Sequence, residues 1–514
     1  MLPVCIFLFV LIGNSESARI LFVGGTPSYS HQVVYQPIWK ELSLRGHQVT
    51  AITSNPLNDA SLSNLTEIDT SFVYKLIDEK YKFGETLDRL KDDTLKFAKY
   101  FLNLLSSMSE EQLASDQVQE LINSDANFDL VIAEFLLPTH LAFSHRFNCP
   151  LIAITSLDAS LPGHDSVGNP SHPVLNPDSL LQFNGDLTFL QRVTSTIYNI
   201  IRRITFESVK SKEDEIVAKY FGEGYPPLTE IIDRIDMFFM NVNPAFHNLR
   251  PTVPAVVHIG GGMNIRPPKK LPEELQTFLD NAKEGVIYFS MGTNVRTSTL
   301  SETFLKVLLE SFAKLPYKVL WKLDNENLPN KSDNILIRKW LPQQDVLRHK
   351  NVKIFITQGG LQSIEEAINF KVPLLAVPFF ADQFSNAKQI EVKRIGKALD
   401  HHKVTTEEFV GAVQEILGNS EYQENIDELS KIAHDQPMSG LEKAVWWSEY
   451  VLRNKGAKHL RSPALKMPIY QYLLLDVLLF IIATFGVLGY LILKMGRYLF
   501  GKVNLEKKKT QKLL

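Results

Sequence analysis

Cysteine is almost missing: the 514 residues contain two, Cys5 in an apolar N-terminal run and Cys149. Removal of that run would leave Cys149 alone, so a disulfide-built scaffold is excluded and a large core must hold the chain together. Charge of one sign is equally scarce. The 54 basic and 57 acidic residues give a net charge of −3, and residues 494–514 carry seven basic side chains against Glu506, so the remainder is acidic by nine charges. Nucleic-acid binding therefore has no electrostatic footprint. A solenoid repeat, a paired-cysteine zinc spacing, a P-loop and a Gly-x-Ser-x-Gly elbow are missing too. What remains is an ordinary globular composition, 45% apolar and 22% charged, long enough for more than one core.

Long apolar runs occur only at the two ends, and their lengths imply different roles. Residues 1–12, followed by the small polar stretch 13–18, are too short to cross a bilayer and read as a signal peptide cleaved before Arg19. Residues 469–493 are interrupted only by Gln471, Asp476 and small or hydroxyl residues, and the basic tail 494–514 begins directly after them. This reads as one transmembrane helix with a cytoplasmic tail, a type I topology that places residues 19–468 in the lumen. The tail from Lys507 to Leu514 resembles a retrieval signal for the endoplasmic reticulum, with Lys512 third from the end. Asn64 and Asn330 head glycosylation sequons that would then be lumenal.

Between the ends the grammar is strand, glycine turn, helix, strand. The runs 20–23 and 49–53 flank Gly24, Gly25 and a helix over 33–44 stopped by Gly46; 130–133 and 151–154 repeat the unit, with a helix begun by Pro138. Such alternation demands a parallel sheet. Residues 158–178 are crowded with Pro, Gly, Ser and His and predict a long loop, 187–220 predict a helix, and 251–270, with the glycines 260–262, predict a linker. A second alternating half follows, with strands at 285–290, 318–321, 335–337, 354–357 and 374–377 and capping boxes at Thr299/Glu302 and Thr405/Glu408.

Ligands of open α/β sheets sit at the carboxyl ends of the strands. That rule selects residues 24–31 and Glu134 in the first half, and 290–294, 340–344, 358–366 and 379–383 in the second. The run Phe355-Ile-Thr-Gln358-Gly359-Gly360-Leu-Gln362-Ser363-Ile-Glu365-Glu366-Ala, then Val372-Pro-Leu-Leu-Ala-Val-Pro378, then Asp382-Gln383, resembles the signature of the UDP-glycosyltransferases. The family's usual form has histidine where this chain has Gln358, a variant similar to arthropod members. The resemblance implies a GT-B-like fold, two doubly wound Rossmann-like domains facing across a cleft, plus the C-terminal transmembrane helix. Its domains would be 19–262 for the acceptor, a linker 263–284, 285–440 for the UDP-sugar, and 441–468 as a stalk opened by a helix, with Trp446 and Trp447, that crosses back onto the first domain.

The physics of the second-half residues suits a nucleotide sugar. Gly359, Gly360 and Ser363 lie where a strand becomes a helix, so unobstructed amides and a helix N-terminus can face a diphosphate. Ser290, Gly292 and Thr293 offer a second small-residue loop. The resemblance further implies that Trp340 stacks on uracil beside Leu341, that Gln343 reaches the nucleoside, that Glu366 takes two ribose hydroxyls, and that Asp382 and Gln383 hold sugar hydroxyls. Gln358 offers the diphosphate a neutral donor where histidine could offer a charged one, and a charge-assisted hydrogen bond is worth roughly twice a neutral one.

His31 stands where the family carries its catalytic histidine, and Glu134 where it usually carries an aspartate. An imidazole can remove a proton from an acceptor hydroxyl near neutral pH, and a carboxylate behind it fixes the tautomer and stabilises the imidazolium. His47, His140, His145, His247, His401 and His402 read as structural or solvated; His164 and His172 stand in the 158–178 loop and face either an acceptor or a metal, the metal reading lacking a carboxylate and cysteine cluster. No Asp-x-Asp occurs, which argues against manganese-dependent diphosphate chelation. The expected activity is inverting, metal-independent transfer of glucose or glucuronate from a UDP-sugar, as co-substrate without further cofactor, to a hydroxyl of a small lipophilic acceptor. Alternatives are a glycolipid or protein-linked sugar transferase and a non-catalytic carrier of the same fold. The membrane is a partner through one helix, and a homo-oligomer is left open.

Overall fold

The computed structural model describes residues 17–83, 86, 94–178, 181, 183, 186–293, 300–326 and 328–511. The expected signal peptide falls almost wholly outside them, as do Asn294 and Thr299. Two all-parallel sheets organise the chain up to Arg461. The first contains β1 (Arg19–Gly24), β2 (Gln48–Thr53), β3 (Leu65–Asp69), β4 (Leu130–Glu134), β5 (Leu151–Thr155), β6 (Ile235–Met240) and β7 (Val256–His258), in the order β3-β2-β1-β4-β5-β6-β7. The second contains β8 (Val286–Ser290), β9 (Lys318–Lys322), β10 (Ile335–Arg338), β11 (Val352–Thr357), β12 (Leu374–Ala376) and β13 (Gly396–Ala398), ordered β10-β9-β8-β11-β12-β13. Each sheet thus starts in its middle and winds outward both ways. The crevice opens where the direction of winding reverses, between β1 and β4 in one sheet and between β8 and β11 in the other.

The central strands are apolar on both faces because helices cover both. Ile20, Phe22 and Ile132 pack to one side of the first sheet, Leu21, Val23 and Val131 to the other; the second sheet divides in the same way, with Tyr288 and Phe355 opposite Ile287 and Ile354. The Gly440–Asn454 helix, opened by a capping box of Ser439 and Glu442, returns to the first half and buries Ala444, Val445 and Val451 beside Ile20 and Trp39.

Several expectations are corrected. The stretch 158–178 contains a short helix, Leu161–Ser166, with Pro162 in its first turn, where proline's missing N–H costs nothing. The 251–270 stretch contains β7, pressed between prolines onto β6, and Glu273–Asp280 is a helix whose Leu275 and Leu279 lie in the core of the second half. The helix Glu302–Lys314 is capped by Ser301, which accepts from Phe304 N–H at 3.2 Å; the Thr299 of the expected box lies outside the described residues. The Thr405/Glu408 box forms as expected. Ser462–Leu514 forms a second unit, in which the helix Leu475–Gln511 has a stretch, Leu475–Leu505, long and apolar enough to cross a membrane; Ile469–Tyr472 is a separate turn of helix before it.

Candidate active site

The switch point of the first sheet brings His31 and Glu134 together. Val23 pairs with Ala133, so the chain leaving β1 and the end of β4 emerge side by side. Gln32 pins the intervening loop by donating to the carbonyls of Gly24 and Thr26, both at 2.7 Å. His31 rides on the first turn of the Tyr29–Leu44 helix. Glu134 is fully buried; one oxygen accepts from Thr26 N–H at 2.9 Å, the other from the Tyr35 hydroxyl at 2.9 Å. That second oxygen lies 3.7 Å from His31 Nδ1, an ion-pair distance rather than a hydrogen bond. The atom in hydrogen-bond contact with Nδ1 is Ser156 Oγ, at 2.6 Å. Burial raises the Glu134 carboxyl, but the imidazole and the Thr26 amide outweigh it, and the group is held below the usual glutamate range. Tyr35, buried against that carboxylate, is held well above its usual value by burial and by the Glu134 charge.

The switch point of the second sheet faces it. Thr357 pairs with Ser290, so Gln358 and Gly292 leave adjacent strands together. Gly292 has φ +67°, and a Cβ there would lie 2.5 Å from Gln358 Nε2, so only glycine lets the two loops touch. Gly359 is likewise left-handed, φ +85°, and turns the chain into the Leu361–Phe370 helix, whose N-cap is Gly360. Gln358 is buried, and its Oε1 has no hydrogen-bond partner among the described residues.

His31, Ser290, Gly292, Thr293, Trp340, Leu341, Gln343, Gln358, Gly360, Ser363, Glu366, Asp382 and Gln383 line one cavity of about 1850 Å³ between the sheets, whereas Glu134 and Gly359 stand behind its wall. Trp340 is 59% exposed and so is not a core side chain; its ring meets Tyr29 edge-on at 5.7 Å, and Lys322 Nζ lies 5.1 Å from its centroid. Burial lowers the Lys322 ammonium, which donates to Gly292 O at 2.5 Å. Leu341, by contrast, is a core side chain at 2% exposure. Glu366 is buried and raised by that burial; it accepts from Asn264 and Gln344 at 2.8 Å on one oxygen and from Gln343 at 2.7 Å on the other. Gln343 also donates to Ser363 Oγ and accepts from Tyr288, so its amide is already engaged at both ends. Gln383 accepts from the Phe379 and Phe380 amides and fixes the loop before it. Asp382 accepts from Asn386 at 2.7 Å; burial raises its carboxyl against the opposing charge of His31 across the cleft.

The sequence reading missed Ser156, Tyr35, Asn264 and the residues that join the halves. The carbonyl of Ser156 accepts from Asn241 and from Gln362 of the second half, each at 3.1 Å, and Glu365, raised to about 7 by burial, accepts from Gly261 N–H at 2.9 Å. Ser156 stands just after β5, where the strand-end rule would have found it. In the 158–178 loop, His164 is 3.3 Å from Asp158 and 2.9 Å from Asn169, and His172 Nδ1 accepts from Val174 N–H. Those partners give both histidines a structural role.

Residues 19–510 match the family described as UDP-glucoronosyl and UDP-glucosyl transferase. The chain belongs to that family. UDP-glucosyltransferase 2 of Dactylopius coccus is 34% identical, covering 93% of this chain and 92% of its own, and human UDP-glucuronosyltransferase 2B15 is 30% identical, covering 94% of each. An ecdysteroid UDP-glucosyltransferase of Spodoptera littoralis nuclear polyhedrosis virus is 33% identical over 92% of this chain and 96% of its own. Among solved structures, the spinosyn forosaminyltransferase shares the fold with a TM-score of 0.58 at 15% identity, over 85% of this chain and 99% of that one. The two sheets are therefore the GT-B arrangement, and this UDP-glycosyltransferase is a hexosyltransferase acting on a UDP-sugar donor and an acceptor.

Proposed function

We propose that the chain transfers glucose from UDP-glucose to a hydroxyl of a small lipophilic acceptor, with inversion and without a metal ion. The observation that carries this reading is the meeting of His31, backed by Ser156 and Glu134, with Asp382 and Gln358 across one cavity. His31 Nε2 takes the acceptor's proton as its oxygen attacks the anomeric carbon; the new C–O bond forms on the face opposite the breaking bond to UDP, which leaves with the electron pair. Ser156 fixes the ring while Glu134 stabilises the imidazolium. The leaving diphosphate would meet the amides at the start of the Leu361–Phe370 helix and the neutral amide of Gln358. Trp340 offers an exposed face for uracil, and the three amides on Glu366 aim its remaining lone pairs at ribose. Gln343 then acts on the nucleoside through Glu366 rather than directly.

Glucose is favoured over glucuronate because the insect and viral relatives carry glucosyl names. The acceptor side is lined by the first half, including Leu157 to Pro162 and Phe135, a largely apolar wall suited to lipophilic molecules. The apolar C-terminal helix and the basic tail support a single-pass anchor in the endoplasmic reticulum, with the site lumenal.

The test is competition of labelled UDP-glucose and UDP-glucuronate on membranes carrying the full chain, with a panel of phenols and alcohols. Label transfer from UDP-glucose is expected, and His31→Ala should cut it by roughly 10²- to 10⁴-fold while UDP affinity stays nearly unchanged. UDP release that does not depend on acceptor, or equal loss of UDP binding and turnover in His31→Ala, would refute the reading.

A further inference from the structure

A buried carboxyl in the acceptor half of the cavity is not used by this chemistry. Glu213 sits on the Phe189–Phe221 helix, 6% exposed, and lines the cavity with Phe206 and Val209 of its own helix and with Phe101, Leu105 and Met108 of the Thr94–Leu113 helix packed against it. One oxygen accepts from Ser106 Oγ at 3.1 Å. Among the described residues no cation pairs with it: Lys210 is held by Glu207 at 2.6 Å and Lys212 by Ser107 Oγ at 3.0 Å, while Asp214 turns away to accept from Leu228 N–H. A carboxyl so placed must be neutral or find a partner in the cavity, because burying a lone charge is costly. Burial indeed raises it to about 7, with Asp214 adding to the rise and Ser106, Lys210 and Lys212 opposing it.

Its place relative to the base follows from the helix it faces. Gln112 of the Thr94–Leu113 helix donates to Gly25 O at 2.6 Å, at the root of the His31 loop. Ser106 lies six residues earlier, so about 9 Å further along that axis at 1.5 Å per residue. We propose that Glu213 is an acceptor-recognition residue that hydrogen-bonds a second hydroxyl, on the part of the acceptor remote from the one glucosylated. A neutral carboxyl donates one hydrogen bond and accepts others, which matches a hydroxyl in both directions. The natural acceptors are then polyfunctional lipophiles, a narrower class than simple phenols and alcohols. This rests on the proposed transfer to small lipophilic hydroxyl acceptors.

The experiment compares a rigid diol with its mono-ol analogue on the full chain in membranes, by equilibrium binding without donor and by kcat/KM with UDP-glucose. The wild type should favour the diol by roughly five- to tenfold, the net worth of one hydrogen bond, and the preference should vanish when the second hydroxyl is moved next to the first. Glu213→Met, close in volume, should bring the ratio near one; Glu213→Gln, which keeps a donor and an acceptor, should retain most of it. Equal wild-type affinity for the two ligands, a surviving preference in Glu213→Met, or its complete loss in Glu213→Gln would overturn the proposal. Should Glu213→Met not fold, the wild-type position dependence and Glu213→Gln still decide. A diol preference in binding with no turnover of any acceptor would sink the proposed reaction and leave the Glu213 site standing.

Discussion

Glu134→Gln separates the charge of that carboxylate from its shape. The Oε2 site faces the Thr26 N–H and requires an acceptor, whereas the Oε1 site faces a Tyr35 hydroxyl that can turn from donor to acceptor. A glutamine can therefore keep its carbonyl on Thr26 and its NH₂ toward Tyr35, with both hydrogen bonds preserved and little change in stability. What disappears is a unit charge 3.7 Å from His31 Nδ1. With an effective dielectric of about 20, the lost attraction to an imidazolium is about 4 kcal/mol, so kcat/KM should fall by roughly three orders of magnitude. The fall should depend on the acceptor. Phenols, whose oxygen needs less help to lose its proton, should lose less than alkyl alcohols, because less imidazolium character has developed in their transition state. The assay is kcat/KM for a series of acceptors of graded acidity, wild type beside variant, with the unfolding midpoint as a control. A uniform loss across the series, or a loss of tenfold or less for alkyl alcohols, would show that Glu134 does not act on the imidazolium.

Ser156→Ala removes the hydrogen bond at His31 Nδ1 but keeps the carbonyl that meets Gln362, and should lower kcat by roughly tenfold, a net hydrogen-bond's worth, with KM for UDP-glucose unchanged; an unchanged kcat would show that the hydroxyl does not act on the imidazole. Gln358→His should keep the fold and raise turnover by roughly fivefold, as a charge-assisted bond replaces a neutral one, and a folded but inactive variant would show that the pocket is built around an amide. Of the two sequons, only Asn330 should carry glycan. It is exposed, whereas the Asn64 amide donates to Ser43 O and His47 O, both at 2.7 Å, so a glycosidase shift lost in Asn64→Gln but kept in Asn330→Gln would contradict this.

How much of this was legible turns on whether a residue's role is local. The central strands were, because a strand covered on both faces must be an apolar run and a parallel sheet must alternate it with helices. β3 was not: Leu65–Asp69 reads Leu-Thr-Glu-Ile-Asp, the half-polar pattern of an edge strand, and it becomes a strand only by pairing with β2. β7 and β13, three residues each, are made the same way by their neighbours. In the site, the residues at strand ends could be chosen from topology, and the signature assigned them to a donor. What neither could supply was the partner of each polar atom. The sequence places a carboxylate behind His31, yet the longer glutamate reaches past it to Tyr35 and Thr26, and Ser156 takes the imidazole instead. With glutamate at this position, Ser156 Oγ is the atom in hydrogen-bond contact with Nδ1, while the carboxylate charge stands within 3.7 Å. Since Ser156 is bound through its carbonyl to Gln362 on the Leu361–Phe370 helix, the residue that holds His31 in the first half is itself held by the second, a coupling that exists only once both sheets have formed.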